Sequence, residues 1–174
     1  PFNSYGPRCH HEGDSGEVIP KFLLRTMAGK PMIIFGDGTQ TRDFTFVSDT
    51  AMGIYKAGLA EKAIGQTINL GQGKEILIRD LAGIVAEVVG TGKNAKIEHI
   101  EPRPGDVLRL YADSARARDL LESRRRHHLA YGISAGIRAL ALGTRVAYRQ
   151  DGQLENRAFS QIGLITATKP DEEY

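Results

Sequence analysis

Tryptophan is absent from this 174-residue chain and cysteine occurs once, at Cys9. A lone cysteine excludes an intrachain disulfide and fits a reducing compartment; with no signal-like start, a cytoplasmic location is expected. No apolar run approaches the roughly 20 residues of a membrane span, so no membrane partner is expected. An excess of one charge is also lacking. Lys and Arg number 23 against 21 Asp and Glu, too even a balance for nucleic acid or an anionic surface to be the main partner. Cys9-His10-His11-Glu12 and Asp14 invite a metal reading, but adjacent side chains rarely converge on one ion and no second cluster has ligand spacing. A solvated loop without metal is the expectation. No internal repeat is evident, and the chain opens Pro-Phe-Asn, which reads as a piece of a longer protein.

What is there suffices for one domain with a core, at 41% apolar and 25% charged residues. The organising stretch runs from Ile33 to Asp49. Met32-Ile33-Ile34-Phe35 is of strand length and partly β-branched. Gly36-Asp37-Gly38 turns the chain, Thr39 to Asp43 is a polar loop presenting Arg42, and Phe44-Thr45-Phe46-Val47 alternates like a half-buried strand. Ser48 or Asp49 then caps a helix to Ala60, with Ala51, Ile54, Tyr55 and Leu59 on one face. An arginine on a loop near a helix start is a sensible anion holder.

The rest follows in order. Residues 1–17 read as loop. A helix from Val18 to Gly29 carries Pro20 in its first turn and an apolar face of Val18, Phe22, Leu23 and Met27. Thr67 to Leu70 reads as a strand closed by Gly71-Gln72-Gly73. The clearest helix spans 79–89, with Leu81, Ile84, Val85, Val88 and Val89 in one stripe and Gly90 as its stop. Lys96 to Ile100 and Val107 to Tyr111 read as strands, and Asp113 caps a short helix with Ala117, Leu120 and Leu121. Arg124 to His128 is a basic run without interleaved aromatics, so a solvated helix start is preferred over a nucleic-acid contact. Ile162 to Ile165 reads as a further strand.

FGDGTQTRDFTFVSD resembles the substrate domain of the extended short-chain dehydrogenases, the NAD-dependent nucleotide-sugar epimerases, dehydratases and decarboxylases. Phe2-Asn3-Ser4-Tyr5-Gly6-Pro7-Arg8, Val18-Ile19-Pro20-Lys21-Phe22, Asn69-Leu70-Gly71 and Arg103-Pro104-Gly105-Asp106 are similar to further family landmarks, in the right order. The resemblance covers residues 1–121 and fades by about 140. It implies a small mixed α/β substrate-binding domain over 1–140, without the Rossmann domain, and a divergent tail over 141–174. It also implies a UDP- or dTDP-linked sugar as ligand, and because a missing Rossmann domain leaves apolar surface uncovered, a homo-oligomer is expected. Arg42 and Arg103 fall at the diphosphate, Asn3 towards the sugar and Asp106 near the ribose. Val18, Lys21, Phe22, Ile34 and Phe35 fall along the nucleotide, and Phe2 at the NAD of the parent family.

Two absences divide the functional expectation. Gly36-Asp37-Gly38 is followed by Thr41 and Gly71-Gln72-Gly73 by Ile76, so neither completes the GxGxxG turn of a dinucleotide fold. The family's catalytic tyrosine has a lysine four residues on, which lowers the phenol's pKa; Tyr5, Tyr55, Tyr111, Tyr131 and Tyr148 are followed at that distance by Cys, Leu, Ala, Ala and Gly. The expectation is a chain that selects the nucleotide sugar, carries no catalytic residue, and neither binds NAD nor turns over substrate alone. Two alternatives are a non-catalytic nucleotide-binding or oligomerising module, and a nucleic-acid binder using Arg124 to His128.

Overall fold

The computed structural model describes residues 1–13, 16–121, 129, 132–133, 146–150 and 153–157. The expected strand after Pro31 forms as β2 (Met32–Phe35) and the expected helix before it as α1 (Val18–Met27). Between Pro1 and α1 lies a correction to the all-loop expectation: β1 (Ser4–Tyr5) pairs in parallel with β4 (Thr45–Phe46). The Tyr5 ring meets Phe44 and Phe46 edge-on, which gives two residues enough buried contact to hold a strand.

Arg42 is not on a loop. It lies in β3 (Thr41–Arg42), the middle strand of a three-stranded sheet. Its neighbours are β5 (Ile76–Leu77), antiparallel, and β7 (Arg109–Leu110), parallel. The Gly36 and Gly38 turn is as expected, with φ of 70° and 75° and Asp37 accepting from the Thr39 amide and hydroxyl. β2 pairs in parallel with β6 (Ile97–Ile100).

Residues 67–70 form no ladder. Their carbonyls are taken elsewhere: the Phe2 N–H donates to Leu70 and the Arg116 guanidinium to Thr67, at 2.8 and 3.0 Å. Nor does a polar side chain cap α2 (Val47–Leu59). The strand β4 runs straight into the helix, with Phe46 extended at the N-cap position.

α3 (Ile78–Val89) buries Leu81 and Val85 of the stripe assigned to it, both at 0% exposure, leaves Ile84, Val88 and Val89 half-buried, and ends on left-handed Gly90. It packs on α1, and both cover β2. Tyr5, Phe22, Met32, Ile34, Leu81 and Val85 lie in this core. α2 reverses the expectation. Ile54, Tyr55 and Leu59 are exposed, at 56%, 63% and 68%, while Thr50 and Gly53 face inward. The helix approaches so closely that a Cβ on Gly53 would lie 2.8 Å from Leu70 Cδ2; only its small-residue face fits there. α4 (Ala115–Leu121) starts where Asp113 accepts the Ala115 N–H, as expected, and packs on α2. β8 (Val146–Gln150) and β9 (Gln153–Arg157) form an antiparallel hairpin. The expected strand at Ile162–Ile165 and the basic run at Arg124–His128 lie outside the described residues. Among the described residues no helix is long and apolar enough to cross a membrane.

The rim of the three-stranded sheet carries a pH-sensitive pair. Glu75 accepts from the Arg109 guanidinium at 2.9 and 2.6 Å and from the Thr41 hydroxyl at 2.7 Å. Arg109 first, then Thr41, hold the Glu75 carboxyl down at about 2. A depressed folded pKa contributes stability above the unfolded value near 4.5, lost as pH falls towards 2. Glu75→Gln should therefore flatten the fall in melting temperature between pH 4.5 and 2, measured by circular dichroism, and added salt should do the same in part because Arg109 is 63% exposed.

Candidate functional site

A cleft of about 790 Å3 opens between the α1 start, β2 with β6, and the β3 strand. That is within the range of small-molecule sites. Asn3, Val18, Lys21, Phe22, Phe35, Arg42, Arg103 and Asp106 all line it, although they span more than a hundred positions of sequence. Ile34 does not. Along β2 the burial alternates, so Met32 and Ile34 enter the core at 0% and 1% exposure while Ile33 and Phe35 face the cleft. The expectation took two neighbours of one strand, whose side chains point to opposite faces. Phe2 is not among the lining residues; its N–H is spent on Leu70.

The walls are apolar where α1 and β2 supply them, through Val18, Phe22, Ile33 and Phe35, with Ile100 added from β6. Among the described residues the charged side chains of the cleft are four cations, Lys21, Arg25, Arg42 and Arg103, and three carboxylates, Glu17, Glu98 and Asp106. Neither arginine singled out in the sequence pairs with its nearest acidic neighbour in the RDF or RPGD motif. Arg42 forms an ion pair with Asp106, and its Nη1 donates to the carbonyls of Thr41 and Val107 at 2.7 and 2.6 Å. The guanidinium is 18% exposed. Arg103 lies over the Phe35 ring at 3.9 Å from the centroid, a cation–π contact. Among the described residues Arg103 has no carboxylate partner within ion-pair distance.

Asp43 escaped the sequence reading. Its side chain is 0% exposed, and its carboxylate accepts the backbone N–H groups of Gln72, Gly73 and Ala112 at 2.9, 2.8 and 3.1 Å. The Asp43 carbonyl accepts from Asn3 Nδ2 at 3.1 Å. An aspartate followed by two aromatics, Phe44 and Phe46, was the available cue: a carboxylate in a buried run needs several donors.

Asp14 lies outside the described residues, and the rest of its stretch departs from the expected solvated loop, with His11 buried at 8% exposure. Cys9 Sγ donates to Glu17 Oε2 at 2.6 Å; burial, then Glu17, push the thiol up to about 12. Burial drives the His11 pKa down. No group of three His, Cys, Asp or Glu suited to a metal occurs among the described residues. Burial, followed by the nearby Asp49, raises the Tyr5 phenol, which opposes an acid–base role at neutral pH.

The cleft thus has apolar walls and carries Arg42 and Arg103 on separate segments, among short strands covered by helices. The profile of the NAD dependent epimerase/dehydratase family matches residues 1–71. The chain is 37% identical over 137 residues to the UDP-glucose 4-epimerase of Mycolicibacterium smegmatis, covering 79% of this chain and 42% of that protein. The structure is similar to an epimerase of Methanothermobacter thermautotrophicus, with a TM-score of 0.75 at 32% identity over 82% of this chain and 42% of that one. It is also similar to the UDP-glucuronic acid 4-epimerase of Bacillus cereus in complex with UDP-glucuronic acid and NAD, with a TM-score of 0.70 at 32% identity over 80% and 44%. The chain thus spans about two-fifths of the length of these relatives.

Proposed function

We propose that residues 1–140 are the nucleotide-sugar-binding part of a nucleotide-sugar epimerase or dehydratase, and that the cleft holds the nucleotide diphosphate between Arg103 and Arg42. The observation that carries this reading is the Arg103 guanidinium, stacked on Phe35 and without a carboxylate partner among the described residues, in a cleft that Arg25 and Arg42 also line. A guanidinium fork stays charged at any working pH and pairs with phosphate oxygens in a planar way. Arg42 already shares its hydrogens with Asp106 and two carbonyls, so it frames the anion while Arg103 supplies the open donors. Phe22, Ile33 and Ile100 suit a flat base, and Asn3 stands on the strand side towards the sugar.

No NAD step is assigned to these residues. The amides of Gln72 and Gly73, the best candidates for a pyrophosphate cradle, already serve Asp43. No tyrosine in the chain has a lysine four residues later, so proton transfer on the sugar is not assigned here either.

Titration calorimetry with UDP and dTDP tests the reading. Arg103→Ala should weaken binding by about 1.5–3 kcal/mol, the worth of a hydrogen bond to a charged group. Arg42→Ala should weaken it by a similar amount and also loosen residues 106–107, which it ties down. Equal affinity in the unaltered chain and Arg103→Ala removes Arg103 from the site.

A further inference from the structure

Neighbouring side chains on the strand leaving Arg42 divide the labour. Arg42 turns into the cleft, and the next residue, Asp43, turns into a fully buried setting. Both grip the same stretch of chain. Arg42 holds Asp106 and the Val107 carbonyl; Asp43 holds the Ala112 N–H. Between those grips run the β3–β7 pairs Thr41 with Arg109 and Arg42 with Leu110, and the Thr41 N–H bonds to the Leu108 carbonyl at 2.8 Å. Asp43 also fixes the Gly71–Gly73 loop through two amides and receives Asn3 on its carbonyl. The Ser114 hydroxyl fastens the far side of that loop by donating to the Gly71 carbonyl at 2.8 Å.

We infer that Asp43 is the positioning residue of the anion site: its buried carboxylate and its carbonyl fix the segment following Arg103 and the Asn3 strand against Arg42. The inference rests on the diphosphate reading above. Ionised acceptors make the stronger hydrogen bonds, and a site away from water strengthens them further. Three amides from two separate segments therefore stand in a geometry that only a carboxylate satisfies. Asparagine keeps the shape but presents an NH2 to at least one N–H group, so that one donor loses its partner.

The test is an NMR titration of the full chain with UDP and, separately, with uridine, on the unaltered protein, Arg103→Ala and Asp43→Asn. Circular dichroism confirms that each is folded at the temperature used. Asp43→Asn should weaken UDP at least about fivefold, in line with one charge-assisted hydrogen bond lost by the phosphates, and leave uridine within about twofold. If Asp43→Asn weakens UDP and uridine by the same factor, or weakens neither, the positioning role is overturned. If Arg103→Ala weakens UDP while Asp43→Asn does not, this inference falls alone. If Arg103→Ala leaves UDP unchanged, or the unaltered chain binds no UDP, the diphosphate reading falls and takes this inference with it. Should Asp43→Asn not fold, Ser114→Ala loosens the same loop from outside the cleft and should weaken UDP at least about twofold with uridine unchanged; full UDP affinity there overturns the inference.

Discussion

Leu81→Ala is expected to lower the free energy of unfolding by about 2–5 kcal/mol, the cost of truncating a buried leucine and leaving a cavity. Leu59→Ser is expected to change it by no more than about 0.5 kcal/mol. Periodicity alone treats both residues as core. Leu81 is 0% exposed, on the α3 face that meets α1, with Ala82 and Val85 buried alongside it. Leu59 is 68% exposed at the end of α2. Urea unfolding followed by circular dichroism separates the two, and a large loss at Leu59 would show that α2 is covered. Domains of this size hold only about 5–15 kcal/mol in total, so the Leu81 variant stands near the limit of folding. Ile54, Tyr55, Leu59 and Ile64 are exposed apolar side chains near one another in sequence, a composition that favours association. Leu59→Ser should accordingly reduce any rise of light scattering with concentration.

Gly71→Ala is the second large effect. A Cβ at this position would lie 2.4 Å from the Ala112 Cβ and 2.8 Å from Asp43 Oδ2. The Ala112 methyl is fixed to the backbone and cannot swing aside, so one chain segment must move and loosen the amides that serve Asp43. Overpacking of this kind costs about 1–3 kcal/mol, and this contact belongs at the upper end. Gly83→Ala provides the control. Gly83 lies inside α3 with nothing within 4 Å of the added carbon, so alanine should raise stability by about 0.5–1 kcal/mol. Thermal melts of the two variants should therefore move in opposite directions. A neutral Gly71→Ala would mean that the 71–73 loop gives way without strain.

Those two glycines illustrate where sequence reasoning reaches and where it stops. α1 and α3 were legible from their helical periodicity and β2 from its short apolar run, and Gly90 marked the end of α3, where the chain turns left-handed. β1, β3 and β5 were not, since each is two residues long and exists only through partners at distant positions. The α2 stripe misled for a related reason. Amphipathic spacing shows that a helix has an apolar face, but the face turned inward was chosen by the close approach of Gly53 to Leu70. In the cleft, residues from several separate motifs line one cavity, while the parity of β2 puts Ile33 there and the expected Ile34 in the core. Asp43 went unread because its partners are backbone amides, which no pattern of side-chain types reveals.

The parallel pairing of β2 with β6 bears on how the chain is made. His99 and the Gly36 carbonyl it bonds are 63 positions apart. At translation rates of about 5–20 residues per second, β2 leaves the ribosome roughly 3–13 s before its partner strand has been synthesised. Through that interval Met32 and Ile34, destined for full burial, can pack with α1 and later α3 but not yet with β6. The nascent chain therefore passes through a helix-covered but half-sheeted stage, and the cleft acquires its Arg103 wall last.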